Sequence, residues 1–178
     1  MISIHIPETE YFDESKNEFV SIKEQTLLLE HSLISVSKWE SKWHKPFLEK
    51  NDKTTEEVID YLRCMTITQN VDPNVYYNIS ENDILRIKDY IDDTMTATTF
   101  SNHSRPNRQI ITAEIVYYWM VTFNIPFECQ KWHLNRLLTL INVCSIKNQP
   151  SKKMSKADIR SRNAALNAAR RAQLGTKG

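Results

Sequence analysis

The densest run of apolar residues, at positions 110–146, predicts two helices joined at Asn124-Ile125-Pro126. Proline disfavours α geometry in the residue before it but is accepted in a first turn, so Pro126 should end the first helix and open the second. Apolar residues three and four positions apart fall on one face of each helix. The predicted faces comprise Ile115, Val116, Trp119, Met120 and Phe123 in the first helix, and Leu134, Leu137, Leu138, Ile141 and Cys144 in the second. Such a helical hairpin cannot bury both faces alone, so the rest of the chain or a partner must cover them.

A different pattern opens the chain. Apolar and polar residues alternate over positions 2–6, which is typical of a half-buried strand, and Pro7 should end that strand. Residues 19–22 and 26–29 offer one long or two short further strands. We therefore expect a small antiparallel β element confined to the region 1–30.

Further helix starts are marked by capping residues. Ser32 is a typical N-cap for a helix over residues 33–44, Thr54 opens a capping box, and Ser80 precedes another apolar periodic stretch. Residues 93–109 show no period and predict a long loop. The whole pattern predicts a mostly helical α+β fold with a small N-terminal antiparallel β element, a central helical hairpin and a basic C-terminal helical arm.

The net charge of +1 conceals a division of the chain. Residues 150–178 carry 8 basic side chains and 1 acidic one, a net +7, whereas residues 1–149 carry 15 basic and 21 acidic ones, a net −6. Ser155 should cap an alanine-rich final helix that Gly175 ends. We therefore expect a globular body at 1–149 and a mobile basic arm at 150–178.

Composition excludes several classes of protein. The only two glycines lie in the last four residues, which argues against loops that cradle phosphates. Cys64, Cys129 and Cys144 stand in apolar contexts without a CxxC pair, so we interpret them as reduced thiols in a reducing compartment. The uncharged run at 115–127 is too short to span a membrane, and no signal sequence precedes it.

Two pairs of residues are candidates for chemistry. Cys129 and His133 stand four residues apart, a spacing that suits a shared metal or a thiol beside a base, but we interpret them as a core thiol near a hydrogen-bonded core histidine. Asp92 and Asp93 lie at a predicted helix C-terminus, where they either bind a metal or begin a solvated loop. We expect no catalytic residue, no metal and no cofactor, and hence no enzyme.

Aromatic and basic residues are the candidates for binding a partner. Trp39 and Trp43 project from one helical stripe and are either core anchors, an exposed platform for a partner protein or a base-stacking surface. The candidate partner-binding residues are Trp39, Trp43, Trp119, Met120, Trp132, Lys152, Lys153, Arg160, Arg162, Arg170 and Arg171.

Residues 27–48, 53–65 and 125–155, together with the closing sequence RNAALNAARRAQLGTKG, resemble the tail assembly chaperones of long-tailed bacteriophages. The resemblance covers most of the chain from residue 27 onward. It implies a non-enzymatic protein that binds the phage tape-measure protein in the host cytoplasm while tail tube subunits polymerise around it. The tail tube protein would be a further partner, and some members exist in a frameshift-extended form. Self-association is left open, and neither nucleic acid nor a membrane is an expected partner.

The alternative function is that of a structural virion component, such as a neck or tail-completion protein. Its basic arm would then contact DNA or a neighbouring subunit, because a local charge of +7 suits phosphate backbones as well as acidic proteins. An enzyme is the third reading and would need a pocket around Cys129, His133 or Asp92.

Overall fold

A computed structural model describes residues 1–13, 17–49, 52–100, 110–149 and 155–175. Helices predominate and a small antiparallel β part stands at the N-terminus, which confirms the predicted α+β class. The strands are β1 (Ile2–Ile6), β2 (Thr9–Asp13), β3 (Glu18–Ile22) and β4 (Gln25–Leu29). The α-helices are α1 (Leu33–Trp43), α2 (Thr55–Met65), α3 (Glu81–Asp92), α4 (Ala113–Thr122), α5 (Leu134–Asn148) and α6 (Lys156–Leu174), and 3-10 helices cover Pro73–Asn78 and Phe127–Lys131. No helix in these ranges has the length and apolarity that crossing a bilayer requires.

The strands form two antiparallel pairs. β1 pairs with β4 in a register that runs from Ile2 opposite Leu29 to Ile6 opposite Gln25, and β2 pairs with β3. One face of these strands is buried in the core through Ile4, Ile6, Ile22, Leu27 and Leu29. The sequence pattern predicts β1, β3 and β4 but not β2, whose residues show no clear apolar alternation.

Helices α1 and α2 start at capping residues and pack on each other. The predicted capping box of α2 is confirmed, since the Thr54 N–H donates to the Glu57 carboxylate at 2.8 Å and the Glu57 N–H donates to the Thr54 hydroxyl at 3.3 Å. Ser32 caps α1 in a similar box with Ser35. Across the two helices, the buried indole N–H of Trp39 donates to the carbonyl oxygen of Glu57 at 2.8 Å. The indole therefore contributes both apolar burial and a specific polar contact to the α1–α2 interface.

The prediction of the second hairpin helix was wrong in its starting point. Helix α4 occupies the predicted position, but Pro126 opens only the short 3-10 helix Phe127–Lys131, and α5 begins at Leu134. The cause is a backbone pairing that the local sequence does not reveal. His133 forms an isolated antiparallel bridge with Ser32, and such pairing requires an extended backbone.

Fewer residues of the two hairpin helices are buried than their predicted apolar faces contain. The buried residues are Ala113, Val116 and Met120 in α4 and Leu134, Leu137 and Ile141 in α5. The predicted face residues Ile115, Trp119, Phe123, Leu138 and Cys144 are only partly buried. The hairpin therefore keeps part of its apolar surface accessible.

A buried carboxylate on α1 holds the start of α4. Glu40 is 7% exposed, and its two carboxylate oxygens accept the backbone N–H groups of Phe47 and Ala113, each at 2.7 Å. Thr112 occupies the N-cap position of α4, but its side chain makes no capping hydrogen bond. Glu40 thus supplies from another helix the acceptor that helix starts require.

Two histidines lie in the buried core. The rings of His31 and His133 are 5.1 Å apart, His31 Nδ1 shares a short hydrogen bond with the Tyr61 hydroxyl, and His133 Nε2 donates to the carbonyl oxygen of Tyr90 at 2.9 Å. Burial, with a smaller contribution from His133, lowers the pKa of His31 from 6.5 to about 3. The His31 ring is therefore neutral at pH 7.

The chain divides into two compact units, Met1–Ser145 and Ile146–Gly178. The division falls within α5, a few residues before the predicted boundary at residue 150. In the second unit, α6 starts at the predicted N-cap Ser155 and ends at Gly175, which has the positive φ of 63° expected of a helix C-cap. Every described residue of α6 is exposed.

Replacing Glu40 by glutamine should destabilise the fold by roughly 1–3 kcal/mol, because the amide keeps one acceptor and leaves one buried N–H without a partner. The free energy of unfolding from urea titration measures the effect. The matched control is Glu49→Gln at an exposed position, which should change it by less than about 0.5 kcal/mol. Equal effects of the two substitutions would refute the role of Glu40.

Stability should fall as the pH drops, because the folded-state pKa of His31 lies below its unfolded value of 6.5. Between about pH 6.5 and 3 the unfolded chain binds a proton that the folded chain does not. The free energy of unfolding should therefore decrease by about 2 kcal/mol from pH 7 to pH 5. This loss should disappear in His31→Asn and persist in His5→Asn, which alters an exposed histidine. Persistence of the full loss in His31→Asn would contradict the assignment.

Ending the chain after Pro150 should leave the thermal unfolding of the first unit nearly unchanged, because α6 has no buried residue. Circular dichroism at rising temperature measures the melting midpoint of the truncated and full chains. A decrease of about ten degrees or more would show that the arm is part of the cooperative core.

Candidate partner-binding surfaces

The predicted tryptophan stripe of α1 is mainly a core feature. Trp39 is 1% exposed, stacks with Trp43 at 6.3 Å between ring centroids and meets the edge of Phe47 at 5.2 Å. Trp43 is partly buried, and the amines of Lys42 and Lys45 lie 5.7 and 5.9 Å from its ring. We therefore assign Trp39 to the core and keep only Trp43 as a candidate contact.

The hairpin residues among the candidates also divide. Met120 is fully buried, so it cannot contact a partner directly and belongs to the core. Trp119 is partly buried in α4. Trp132 is partly buried as well, and the guanidinium of Arg136 lies 4.4 Å from its ring centre. Trp119 and Trp132 remain candidate contacts.

An apolar groove, the α2–α3 groove, runs between α2 and α3. It has a volume of about 270 Å³. Its lining consists of Val58, Tyr61 and Leu62 from α2, Ile84, Ile87, Lys88 and Ile91 from α3, and Phe47 and Lys53 from the segment between α1 and α2. Among the described residues that line it, the only charges are the two lysines. The sequence pattern shows the apolar stripe of α3 but not that α2 leaves part of it uncovered.

The side chains of the α2–α3 groove range from buried to exposed. Ile87 and Leu62 are 3% and 6% exposed, whereas Val58 and Ile84 are 41% and 47% exposed. Tyr61 is another buried lining residue, and burial raises the pKa of its hydroxyl well above the ordinary value. The groove therefore has a fixed floor and accessible apolar walls.

Several ion pairs involve residues of α2 that do not line the α2–α3 groove. Asp60 accepts hydrogen bonds from Lys42 and Arg63, and Lys45 donates to Glu57 at 2.5 Å. Burial raises the pKa of Asp60, but the bonds from Lys42 and Arg63 outweigh it and hold this pKa below its usual range. The bond from Lys45 is the main cause of the lowered pKa of Glu57. These cations therefore already have carboxylate partners within the chain.

A second apolar groove, the α4–α5 groove, separates the two hairpin helices. It encloses about 410 Å³. Its lining residues are Ile111, Trp119, Phe123, Leu138, Ile141, Asn142 and Ser145. Helices α4 and α5 thus present their partly buried apolar residues to a shared groove. Trp119 is the one residue of this groove that the sequence singles out as a candidate contact.

An exposed aromatic pair on the β2–β3 hairpin is absent from the sequence-based candidates. Phe12 and Phe19 face each other across the strands, are 46% and 72% exposed, and contact edge to face at 5.1 Å between ring centroids. Because β2 escaped prediction, nothing in the local sequence indicated this cross-strand pairing. The pair stabilises the hairpin and adds an exposed apolar patch.

The basic candidates lie partly outside the described residues. Lys152 and Lys153 fall in that part, whereas Arg160, Arg162, Arg170 and Arg171 lie on α6 and are exposed. At 100° per residue, Arg160, Arg170 and Arg171 fall with Lys156 within an arc of about 100°, and Arg162 lies on another side. We call the set Lys156, Arg160, Arg170 and Arg171 the cationic stripe of α6.

The residue pairs considered for catalysis or metal binding do not have the arrangement that their spacing in the sequence suggested. Cys129 lies in a 3-10 helix and His133 precedes α5, so they do not share one helix face, and the Nε2 of His133 is hydrogen-bonded to Tyr90. Asp92 and Asp93 are exposed, and Asp93 Oδ1 accepts the backbone N–H of Met95 at 2.8 Å. Within the described ranges, no three His, Cys, Asp or Glu side chains are placed to hold a metal ion.

The chain was compared with protein-family models, curated proteins and solved structures. None of them matches it. The surfaces of the chain itself, and not a relative, therefore support the functional proposal.

Proposed function

We propose that this protein is a non-enzymatic tail assembly chaperone, which binds the tape-measure protein of a long-tailed bacteriophage in the host cytoplasm during tail morphogenesis. The observation that carries this proposal is the pair of apolar grooves, each of which lies between two helices and has accessible walls. The sequence resemblance to tail assembly chaperones supports the same reading.

The partner needs such a chaperone before its assembly is complete. A long amphipathic helix with an exposed apolar face tends to aggregate until that face is covered. Apolar grooves bind such helices through residues three and four positions apart. The α2–α3 and α4–α5 grooves offer two such surfaces on one chain. One molecule would therefore cover two separate helices of the partner or two stretches of one longer helix.

The basic arm would assist in this role. The cationic stripe of α6 would attract acidic segments of the tape-measure protein and raise the rate of encounter. The tail tube protein is a further proposed partner, since tube subunits polymerise around the tape-measure protein. Association of the chaperone with itself remains compatible with this role.

A structural virion component is the second candidate, and the cationic stripe is the observation that favours it. Four cations on one face of a helix match the phosphate backbone of DNA as well as they match carboxylates. The two functions differ in fate, because a chaperone leaves before the particle is complete and a structural component stays. They also differ in their response to salt.

Coexpression with the tape-measure protein should yield a complex that Trp119→Ala weakens by about tenfold or more, because the indole lines the α4–α5 groove. Tyr118→Ala is the matched control, since this neighbouring aromatic is 66% exposed and does not line the groove. Affinities from pull-down titrations measure the difference. Raising the salt from about 0.05 to 0.5 M should weaken the complex by less than about tenfold, whereas four DNA phosphate contacts would cost over three decades.

The presence or absence of the protein in finished particles distinguishes the two functions. Mass spectrometry of purified particles should not detect it. Detection in particles at a fixed copy number, together with a steep salt dependence of DNA binding, would reject the chaperone function and favour the structural one.

A further inference from the structure

We infer that the α2–α3 groove binds an acidic amphipathic helix of a partner protein, whose apolar side chains enter the groove while its carboxylates lie beside Lys53 and Lys88. The inference rests on the proposed function, because it specifies the kind of segment that the partner would present. It concerns this one groove and assigns no role to the α4–α5 groove.

The shape of the groove favours a helix as the occupant. Two helices form its walls, and the residues that α3 contributes are spaced three, four and seven positions apart from Ile84 to Ile91. At 1.5 Å per residue this stripe is about 10 Å long, which corresponds to two turns of a facing helix. A third helix laid between two others buries its side chains in the furrow that they leave.

The accessible walls of the groove favour an apolar contact surface. Val58 and Ile84 are each more than 40% exposed although they adjoin buried residues of the same stripes. The groove has a volume of about 270 Å³, and all of its lining residues except the two lysines and Tyr61 have wholly apolar side chains. Water in such an apolar site has few hydrogen-bond partners, so its replacement by apolar side chains is favourable.

The charges of the groove favour an acidic occupant over a basic one. Lys53 and Lys88 are the only charged residues among the described lining, and neither forms an ion pair with a described carboxylate. The amine of Lys53 lies 4.6 Å from the ring centre of Phe47, so it is held over the groove. The acidic residues of α3, such as Asp89, do not line the groove. Both charged side chains that line the groove are therefore cations, which favours carboxylates in the occupant.

Two synthetic peptides of about 18 residues test the inference on the full-length protein. Both carry leucines three and four positions apart, and the flanking positions hold glutamate in one peptide and lysine in the other. Fluorescence anisotropy measures their affinities at about 0.05 and 0.15 M salt. The glutamate peptide should bind roughly tenfold more tightly than the lysine peptide.

Neighbouring positions on α3 supply a matched pair of variants. Ile84→Gln places a polar group in the groove and should weaken the glutamate peptide about tenfold. Leu85→Gln makes a similar apolar-to-polar change at a residue that is 60% exposed and outside the groove, and should change the affinity less than about threefold. Glutamine is a good helix former, and both positions are exposed, so the two variants should keep the wild-type melting temperature.

The lysines are tested by a second set of variants. Lys53→Gln combined with Lys88→Gln should reduce the preference for the glutamate peptide to within about threefold. Lys131→Gln, which removes an exposed cation outside the groove, should leave the preference intact. Equal binding of both peptides to the wild-type protein would overturn the acidic specificity.

Two further outcomes would overturn the inference in distinguishable ways. Equal affinities of Ile84→Gln and Leu85→Gln would place peptide binding elsewhere. Sedimentation experiments would show whether the protein forms concentration-dependent dimers. Dimers that Ile84→Gln abolishes and Leu85→Gln retains would make the groove an interface between copies of this chain.

If the peptides behave as expected but the tape-measure protein does not bind, the proposed function fails while the groove specificity stands. If the tape-measure protein binds Ile84→Gln as well as wild type, the groove assignment fails while the function stands.

Discussion

The Glu40 carboxylate is the contact on which the arrangement of the helices most depends. It is buried on α1 and accepts the backbone N–H groups of Phe47 and Ala113, which lie 7 and 73 positions away along the chain. A buried N–H without a partner costs free energy comparable to a lost hydrogen bond, so both segments are held to one point of α1. The start of α4 is thereby fixed by a polar contact rather than by complete burial of its apolar face.

Hydrogen bonds to distant residues also position α5 and the buried His133. The N–H of Leu134 donates to the carbonyl oxygen of His31 at 2.8 Å, and His133 is fixed by its bond to Tyr90. Specific hydrogen bonds to distant residues thus position the starts of α4 and α5. Because these hydrogen bonds position α4 and α5, the apolar faces of the two helices need not pack along their full length, and an apolar groove remains between them. A second apolar groove lies between α2 and α3. Such surfaces are what a protein that covers helices of a partner requires.

Local sequence patterns predicted the features that depend on local chemistry. The starts of α2, α3 and α6 follow from capping side chains, and the alternation in β1 follows from its pleat. The late start of α5 could not be predicted, because it depends on the pairing of His133 with Ser32, which is distant in the chain. For the same reason, periodicity marked Met120 and Trp119 alike, although only the first is fully buried. The grooves depend on the spacing between helices, which no single stripe of apolar residues determines.

Site-specific photocrosslinking in the presence of the proposed partner, the tape-measure protein, tests most directly whether a groove between helices binds it. A benzophenone amino acid placed at Ile84 lies in the α2–α3 groove, and one placed at Leu85 lies outside it. We predict that the probe at position 84 crosslinks to an acidic helical segment of the tape-measure protein and that the probe at position 85 gives a much lower yield. Equal yields from the two positions, or crosslinks from position 84 to a second copy of this chain, would contradict the account.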